Sequence, residues 1–275
     1  MIIDTHAHIY SPDEQAYPPR ADPLRPPPGT GSPEHLRREM QAAGVDRAML
    51  IQTTTFYGWD NRFLRDTAEA ARDWAVGVCT LNPDDPHSPD VLYALVHRSN
   101  VRALRTYASG PGGAYDHPGN RRLFDAAGRL GIVINALLSL RAADELAQML
   151  RAYPDLPVVL DHCLALRAGP ELKPTVAKVV ALAQFPNLYA KLTFLPTGSV
   201  EGYPFRDMHD ACRRIIDAYG PERCIWGSDF PTELWCPKVT YSGHLQLFRE
   251  ALGLSPEEQA AILGKTAAQL YGITS

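Results

Sequence analysis

A (β/α)8 barrel is the fold this sequence predicts, and three observations predict it. Eight short apolar runs recur along the chain, each is followed by a segment with helical periodicity, and the isolated charged or imidazole residues that interrupt the runs fall at their C-terminal ends. Parallel barrel strands are buried on both faces, so they read as nearly continuous apolar runs rather than as alternating ones. An open doubly wound sheet is the competing arrangement. Bound to a nucleotide it would carry a Gly-rich first turn, and this chain has none.

The predicted strands are Met1–Thr5, Ala48–Thr53, Ala75–Leu81, Val101–Tyr107, Ile132–Leu138, Val158–Cys163, Leu188–Phe194 and Cys224–Phe230. Ser32-Pro33-Glu34 opens the first helix with an N-cap serine and proline at the first helical position, and Gly44 closes it. Further helices are expected over Arg62–Asp73, Val91–Arg98, Arg121–Leu130 (closed by Gly131), Ala143–Ala152, Thr175–Gln184, Met208–Tyr219 and Gly243–Leu252. Ser255-Pro256-Glu257-Glu258 is a capping box that opens an extra C-terminal helix. The segment Tyr17–Pro33 carries Pro18, Pro19, Pro23, Pro26, Pro27 and Pro28 and reads as a stiff surface excursion. Because it follows the first strand, it starts on the C-terminal face of the barrel and is expected to wall or cover that face.

Size and charge narrow the function. The chain has 275 residues, 45% of them hydrophobic, and a formal net charge of −4. That is enough for one large barrel domain spanning residues 1–275, and the mixed charges offer no basic stripe for nucleic acid. No apolar run is long enough to span a bilayer, and the N-terminus opens on a strand rather than a secretion signal, so a cytoplasmic protein is expected. Five scattered cysteines without a CxxC pair fit reduced thiols. Cys163, although beside His162, is expected to be a packing residue, since neighbours on a strand face opposite ways.

Chemistry concentrates where strands end. In Asp4-Thr5-His6-Ala7-His8 the two imidazoles share one strand face, a spacing that can hold a transition metal. Arg105 on the fourth strand, His162 on the sixth, Lys191 on the seventh and Asp229 on the eighth each interrupt an apolar run near its end. Any one alone could be a paired structural charge; together, at one end of a barrel, they define a site. Alternation places Leu160 with His162 and Ile225 with Gly227 and Asp229. Asp229 can ligate a metal through one oxygen and accept a proton from water through the other. His162 is either a further ligand or a neutral electrophile, and Arg105 and Lys191 offer positive charge to a carboxylate or an oxyanion. Arg102, on the opposite face of its strand from Arg105, is the weaker candidate.

These motifs resemble the amidohydrolase superfamily, in particular the amidohydrolase-related branch that contains 2-pyrone-4,6-dicarboxylate lactonase and the sugar lactonases. The resemblance runs nearly end to end. It covers Ile3-Asp4-Thr5-His6-Ala7-His8, Tyr57-Gly58-Trp59-Asp60-Asn61, Val101-Arg102-Ala103-Leu104-Arg105, Leu160-Asp161-His162, Tyr189-Ala190-Lys191-Leu192, Trp226-Gly227-Ser228-Asp229-Phe230-Pro231 and a closing helix through Tyr271. It implies a (β/α)8 barrel in which His6, His8 and Asp229 surround the hydrolytic water, with His162 as the sixth-strand histidine. It also implies that Tyr57, Arg105 and Lys191 hold an acidic or polyhydroxylated small molecule. One departure is informative: the fifth strand, Ile132–Leu138, lacks the ligand histidine of the superfamily's decarboxylases, and the fourth lacks a bridging lysine.

The resulting expectation is a lactone hydrolase with Asp229 and His162 catalytic, Tyr57, Arg105 and Lys191 binding substrate, and His6, His8 and Asp229 as metal ligands. One divalent ion, zinc or manganese, is expected, loosely held or dispensable. The competing readings are a metal-dependent decarboxylase of an aromatic or muconic acid and a barrel that binds a metabolite or metal without turnover. A homo-oligomer is compatible with this sequence, whereas nucleic-acid and membrane partners are not expected.

Overall fold

The computed structural model describes residues 1–108 and 113–274. Eight parallel strands lie in sequence order in one sheet: β1 (Ile3–His8), β2 (Arg47–Ile51), β3 (Ala75–Thr80), β4 (Val101–Tyr107), β5 (Val133–Leu137), β6 (Val158–Leu160), β7 (Leu188–Lys191) and β8 (Cys224–Ile225). The sheet curls until β1 meets the extended chain after β8. Thr5 N donates to the Trp226 carbonyl (3.1 Å), Asp229 N to His6 O (2.9 Å) and His8 N to Phe230 O (2.7 Å). Gly227 permits that approach, because a Cβ there would stand 2.7 Å from the His6 Cβ. The product is a (β/α)8 barrel.

The helices alternate with the strands as the capping signals indicate. Ser32 caps Pro33–Ala43 through its hydroxyl, and Gly44 and Gly131 end their helices in the left-handed conformation. Ser255 and Glu258 form the reciprocal capping box at the start of the C-terminal helical segment. Predicted strand ends shorten most at β8, which stops at Ile225, and next at β6 and β7, which stop at Leu160 and Lys191. Among the described residues, no helix is long and apolar enough to cross a membrane.

Side chains inside the barrel are layered. Ile3, Met49, Ile51, Val76, Val78, Ala103, Val133, Val159 and Ile225 fill the lower interior, and Tyr271 of the C-terminal helix packs into this cluster. Two residues further along the strands the same inward face turns polar: Arg105 follows Ala103, Asn135 follows Val133, Asp161 follows Val159 and Lys191 follows Tyr189. These four are buried, and they form the floor of the C-terminal face. The Pro-rich segment crosses above this end and is pinned there, with Arg20 N donating to Phe56 O (2.8 Å) and Leu24 N to Thr55 O (3.0 Å).

Candidate active site

The structure gathers His6, His8, Arg105, His162, Lys191 and Asp229 into one cluster. His6 Nε2 lies 3.3 Å from His8 Nε2 and 3.5 Å from Asp229 Oδ1. The His6 and His162 rings meet edge to face, with centroids 4.6 Å apart. Donor atoms of His6, His162 and Asp229 all lie within 4.8 Å of one another, and His8 joins them through His6.

His162 and Asp229 reach the centre by leaving strand geometry. Strict alternation after Val159 would aim Asp161 inward and His162 outward. The chain instead turns left-handed at His162 (φ 54°) and stays so through Cys163, Leu164 and Ala165, which swings the imidazole over the barrel mouth. Asp229 is left-handed as well (φ 59°). Non-glycine residues rarely hold this conformation unless the surrounding structure imposes it, and such residues cluster at functional sites. Asp4 helps impose it at Asp229: its buried carboxylate accepts from His6 N (3.0 Å), Ser228 N (2.9 Å), the Ser228 hydroxyl (2.6 Å) and the Tyr241 hydroxyl (3.0 Å), lacing β1 to the turn that presents Asp229.

Asp161, which sequence reasoning passed over, is the hub of the floor. Its Oδ1 accepts from Lys191 Nζ at 2.8 Å and from Asn135 Nδ2 at 3.2 Å, and its Oδ2 lies 3.1 Å from Arg105 Nε. Asn135 Oδ1 in turn accepts from the Tyr271 hydroxyl at 3.2 Å. Lys191 is fully buried, so its ammonium is spent on Asp161 and on His6 Nδ1, 3.4 Å away, rather than presented to solvent. Arg105 reaches further, with Nη2 at 3.5 Å from His162 Nε2. Continued alternation from Val159 was the signal that could have found Asp161.

Tyr57 lies outside this cluster. It packs against Phe56 and Phe63, and its hydroxyl accepts from Ser11 N at 2.7 Å. Arg102 lies at the opposite end of its strand from the site, where its guanidinium donates to the Tyr271 carbonyl. Cys163 is buried, its Sγ against the Lys191 carbonyl (3.4 Å), and burial pushes its thiol well above the usual range, as befits a packing residue.

Burial sets the protonation states. Desolvation, first of all, raises the Asp229 carboxyl to about 7, against the opposing pull of Arg105. Desolvation also holds His8 and His162 down at about 3, and His6 well below its usual value, so all three imidazoles are neutral at pH 7. Partners then assign the tautomers. His8 Nδ1 faces the Ile51 carbonyl at 3.0 Å, so it carries the hydrogen and leaves Nε2 with a lone pair. His162 receives Arg105 at Nε2, which puts its hydrogen on Nδ1, 2.6 Å from the Thr193 hydroxyl and 4.0 Å from Asp229 Oδ2.

Among the described residues, the donors that all come within 4.8 Å of one another, and so could take one divalent ion, are those of His6, His162 and Asp229; His8 Nε2 stands 3.3 Å from His6 Nε2 but is not part of that group. His6 must offer a lone pair at Nε2 for this, whereas donation from Lys191 to Nδ1 leaves the hydrogen on Nε2. Metal capture therefore works against the Lys191 contact.

The fold is a (β/α)8 barrel whose mouth gathers two first-strand histidines, a histidine just beyond the sixth strand and an aspartate just beyond the eighth. Residues 3–273 match the amidohydrolase family (Amidohydro_2), and the chain belongs to it. It is 25% identical to an L-fucono-1,5-lactonase of Burkholderia ambifaria over 98% of this chain and 95% of that one. It is 27% identical to a D-galactarolactone isomerase of Agrobacterium fabrum, covering 94% of this chain and 86% of the other. A crystal structure described as that of a 2-pyrone-4,6-dicarboxylic acid hydrolase of Pseudomonas putida superposes with a TM-score of 0.82 at 25% identity, over 98% of this chain and 97% of the other.

Proposed function

We propose that this protein hydrolyses a lactone, either one bearing a carboxylate or one of the sugar-acid kind, with Asp229 as general base. The observation that carries the reading is Asp229 itself: a buried carboxyl poised at about 7, 3.5 Å from His6, on a backbone turned to face the mouth of the barrel. A base is most effective when its pKa lies near the working pH. A lactonase and a lactone isomerase among the relatives share the cyclic ester, which favours this substrate class.

Water held between His6 and Asp229 gives a proton to the Asp229 carboxylate as its oxygen attacks the lactone carbonyl. The carbonyl π pair moves onto oxygen, where the Arg105 guanidinium, set against His162 Nε2, is the donor to the new charge. The pair returns, the ring C–O bond breaks, and protonated Asp229 hands its proton to the leaving alkoxide, giving an open hydroxy acid. His6 and Asp229, with His162 where the donors converge and His8 beside them, are the residues that would hold a divalent ion, which when bound would polarise the carbonyl and acidify the water. Arg105 gives the mouth a cation for the carboxylate of the substrate.

Decarboxylation is the weaker reading. The fifth-strand position that would supply its metal ligand is Asn135, fully buried and committed to Asp161 and Tyr271. A pH-indicator assay against a panel of dicarboxylate and aldonic lactones tests the proposal. Acid release by the wild type, reduced about 10²- to 10⁴-fold in Asp229→Asn, is expected; carbon dioxide release from an aromatic acid with no lactone opened would contradict it.

A further inference from the structure

Thr193 stands where β7 gives way to the short helix Phe194–Gly198, at the N-cap of that helix. A threonine there ordinarily turns its hydroxyl to an N–H of the first helical turn. Thr193 does not. Its side chain makes no capping bond, and its Oγ1 lies instead 2.6 Å from His162 Nδ1. Thr193 is fully buried, and its methyl lies against Gly227, where a Cβ would stand 3.1 Å from Thr193 Cγ2. The branched Cβ of threonine couples the two contacts, because a methyl fixed on the seam also fixes the direction of the hydroxyl.

The same helix runs beside the left-handed turn that carries His162. At its far end Ala168 N donates to the Gly198 carbonyl (2.7 Å), and a Cβ at Gly198 would meet the Leu166 carbonyl. The turn is therefore tied to the helix through backbone at Gly198 and through the Thr193 side chain at the imidazole.

That bond decides which nitrogen of His162 is bare. Arginine only donates, so Arg105 Nη2, 3.5 Å from His162 Nε2, calls for a lone pair there. In the neutral ring the hydrogen then sits on Nδ1. Thr193 Oγ1 accepts it at 2.6 Å, whereas Asp229 Oδ2 stands 4.0 Å away. The Arg105 guanidinium is steadied in turn at three places. Its Nε lies 3.1 Å from Asp161 Oδ2, its Nη2 faces His162, and its carbon stands 5.5 Å from the centre of the Tyr107 ring, whose hydroxyl is 2.9 Å from that of Thr54. Without the Thr193 hydroxyl the His162 Nδ1–H loses its acceptor, and the imidazole loses the contact that keeps Nε2 turned to Arg105.

We infer that Thr193 is a positioning residue: by accepting the His162 Nδ1–H it sets the tautomer and direction of the imidazole, and through His162 Nε2 it aims Arg105 at the developing oxyanion. The inference rests on the lactone reading for the task of Arg105 and is independent of it for the state of His162.

Thr193→Val and Thr193→Ser test it, because they separate the hydroxyl from the methyl. Valine keeps the branched shape against Gly227 and removes the acceptor, whereas serine keeps the acceptor and removes the methyl. On the lactone identified by the panel, Thr193→Val should lower kcat about tenfold with KM within about twofold of the wild type. Thr193→Ser should recover most of that loss, the opposite order from the one a packing role predicts. Nitrogen NMR of the full-length protein labelled in histidine reads the ring without substrate. It is run in chelator, with the His162 signals identified by their absence in His162→Gln. Wild type and Thr193→Ser should show one tautomer, hydrogen on Nδ1 and a bare Nε2, and Thr193→Val should show nitrogen signals averaged between tautomers. Hydrogen on Nε2 in the wild type would overturn the inference. So would a Thr193→Val protein that keeps the single tautomer and wild-type kcat while Thr193→Ser is impaired. Failure to open any lactone would retire the hydrolytic reading, and the NMR comparison would still decide whether Thr193 holds His162.

Discussion

At the residue scale the protein maintains a carboxyl group at a cost to its own stability. The Asp229 carboxyl is raised to about 7 in the fold, chiefly by burial, against about 3.9 in an unfolded chain. A raised carboxyl binds its proton more tightly when folded, so stability is greatest below the unfolded value and is lost as pH rises from about 4 through 7. In metal-free protein Asp229→Asn should therefore be matched with the wild type near pH 4 and more stable by up to about 4 kcal/mol at pH 8. Denaturant melts in chelator at the two pH values measure this; an asparagine variant that gains nothing at pH 8 would show that Asp229 ionises freely in the fold. Lys191 makes the complementary case. Asp161→Asn leaves its ammonium buried with Arg105 and no counter-charge, a loss of roughly 3–5 kcal/mol, and adding Lys191→Met should restore much of it. An additive double-mutant cycle would mean the pair is uncoupled. Because Lys191 also occupies the His6 Nδ1 face, Lys191→Met should tighten zinc binding, read by competition with a chromophoric chelator; unchanged or weaker affinity would contradict the assigned tautomer.

At the scale of elements, the seam between β1 and β8 positions the chemistry. Gly227 lies where any side chain would meet the His6 Cβ, and Asp4 ties three backbone and hydroxyl groups of the seam together. Gly227→Ala should force the seam apart, costing about 1–3 kcal/mol and reducing turnover more than Asp229-independent binding of a carboxylic acid. Melting temperature and calorimetry on the same sample separate the two, and wild-type turnover would show that the seam tolerates expansion. This seam also marks what the sequence made legible. Arg105 and Lys191 lie within regular strands, and simple alternation places them correctly; it also puts His6 and His8 on one shared face, although the irregularity of β1 between Asp4 and Ala7 is what separates that face from the alternation that begins at Ile3. His162 and Asp229 depend on left-handed backbone that neither alternation nor composition encodes, so the strand assigned to Val158–Cys163 ends at Leu160. Asp161 was hidden by the same error of parity. Tyr57 is quoted in a family motif, but its hydroxyl is held by Ser11 N, a contact with a chain segment 46 residues away that no local pattern reveals.

At the scale of the whole molecule, the barrel separates stability from chemistry along its axis. Apolar layers from Ile3 to Ile225 fill the lower interior, the C-terminal helix closes that end with Tyr271, and polar groups appear only in the layer above. The Pro-rich segment then closes over the other end, seating Gly31 on Tyr10. The alternation of apolar runs and helical segments was enough to read this plan, because the strands are buried on both faces and helices such as Pro33–Ala43 and Pro118–Leu130 announce their ends. The central claim is that Asp229, ionising near neutrality, takes the proton from water, and its most direct test is the pH dependence of kcat/KM on the best lactone of the panel, corrected for spontaneous opening. The account predicts an acid limb of unit slope with an apparent pKa near 7, absent from the residual activity of Asp229→Asn. A flat profile from pH 5.5 to 8.5, or the same limb in the variant, would contradict it.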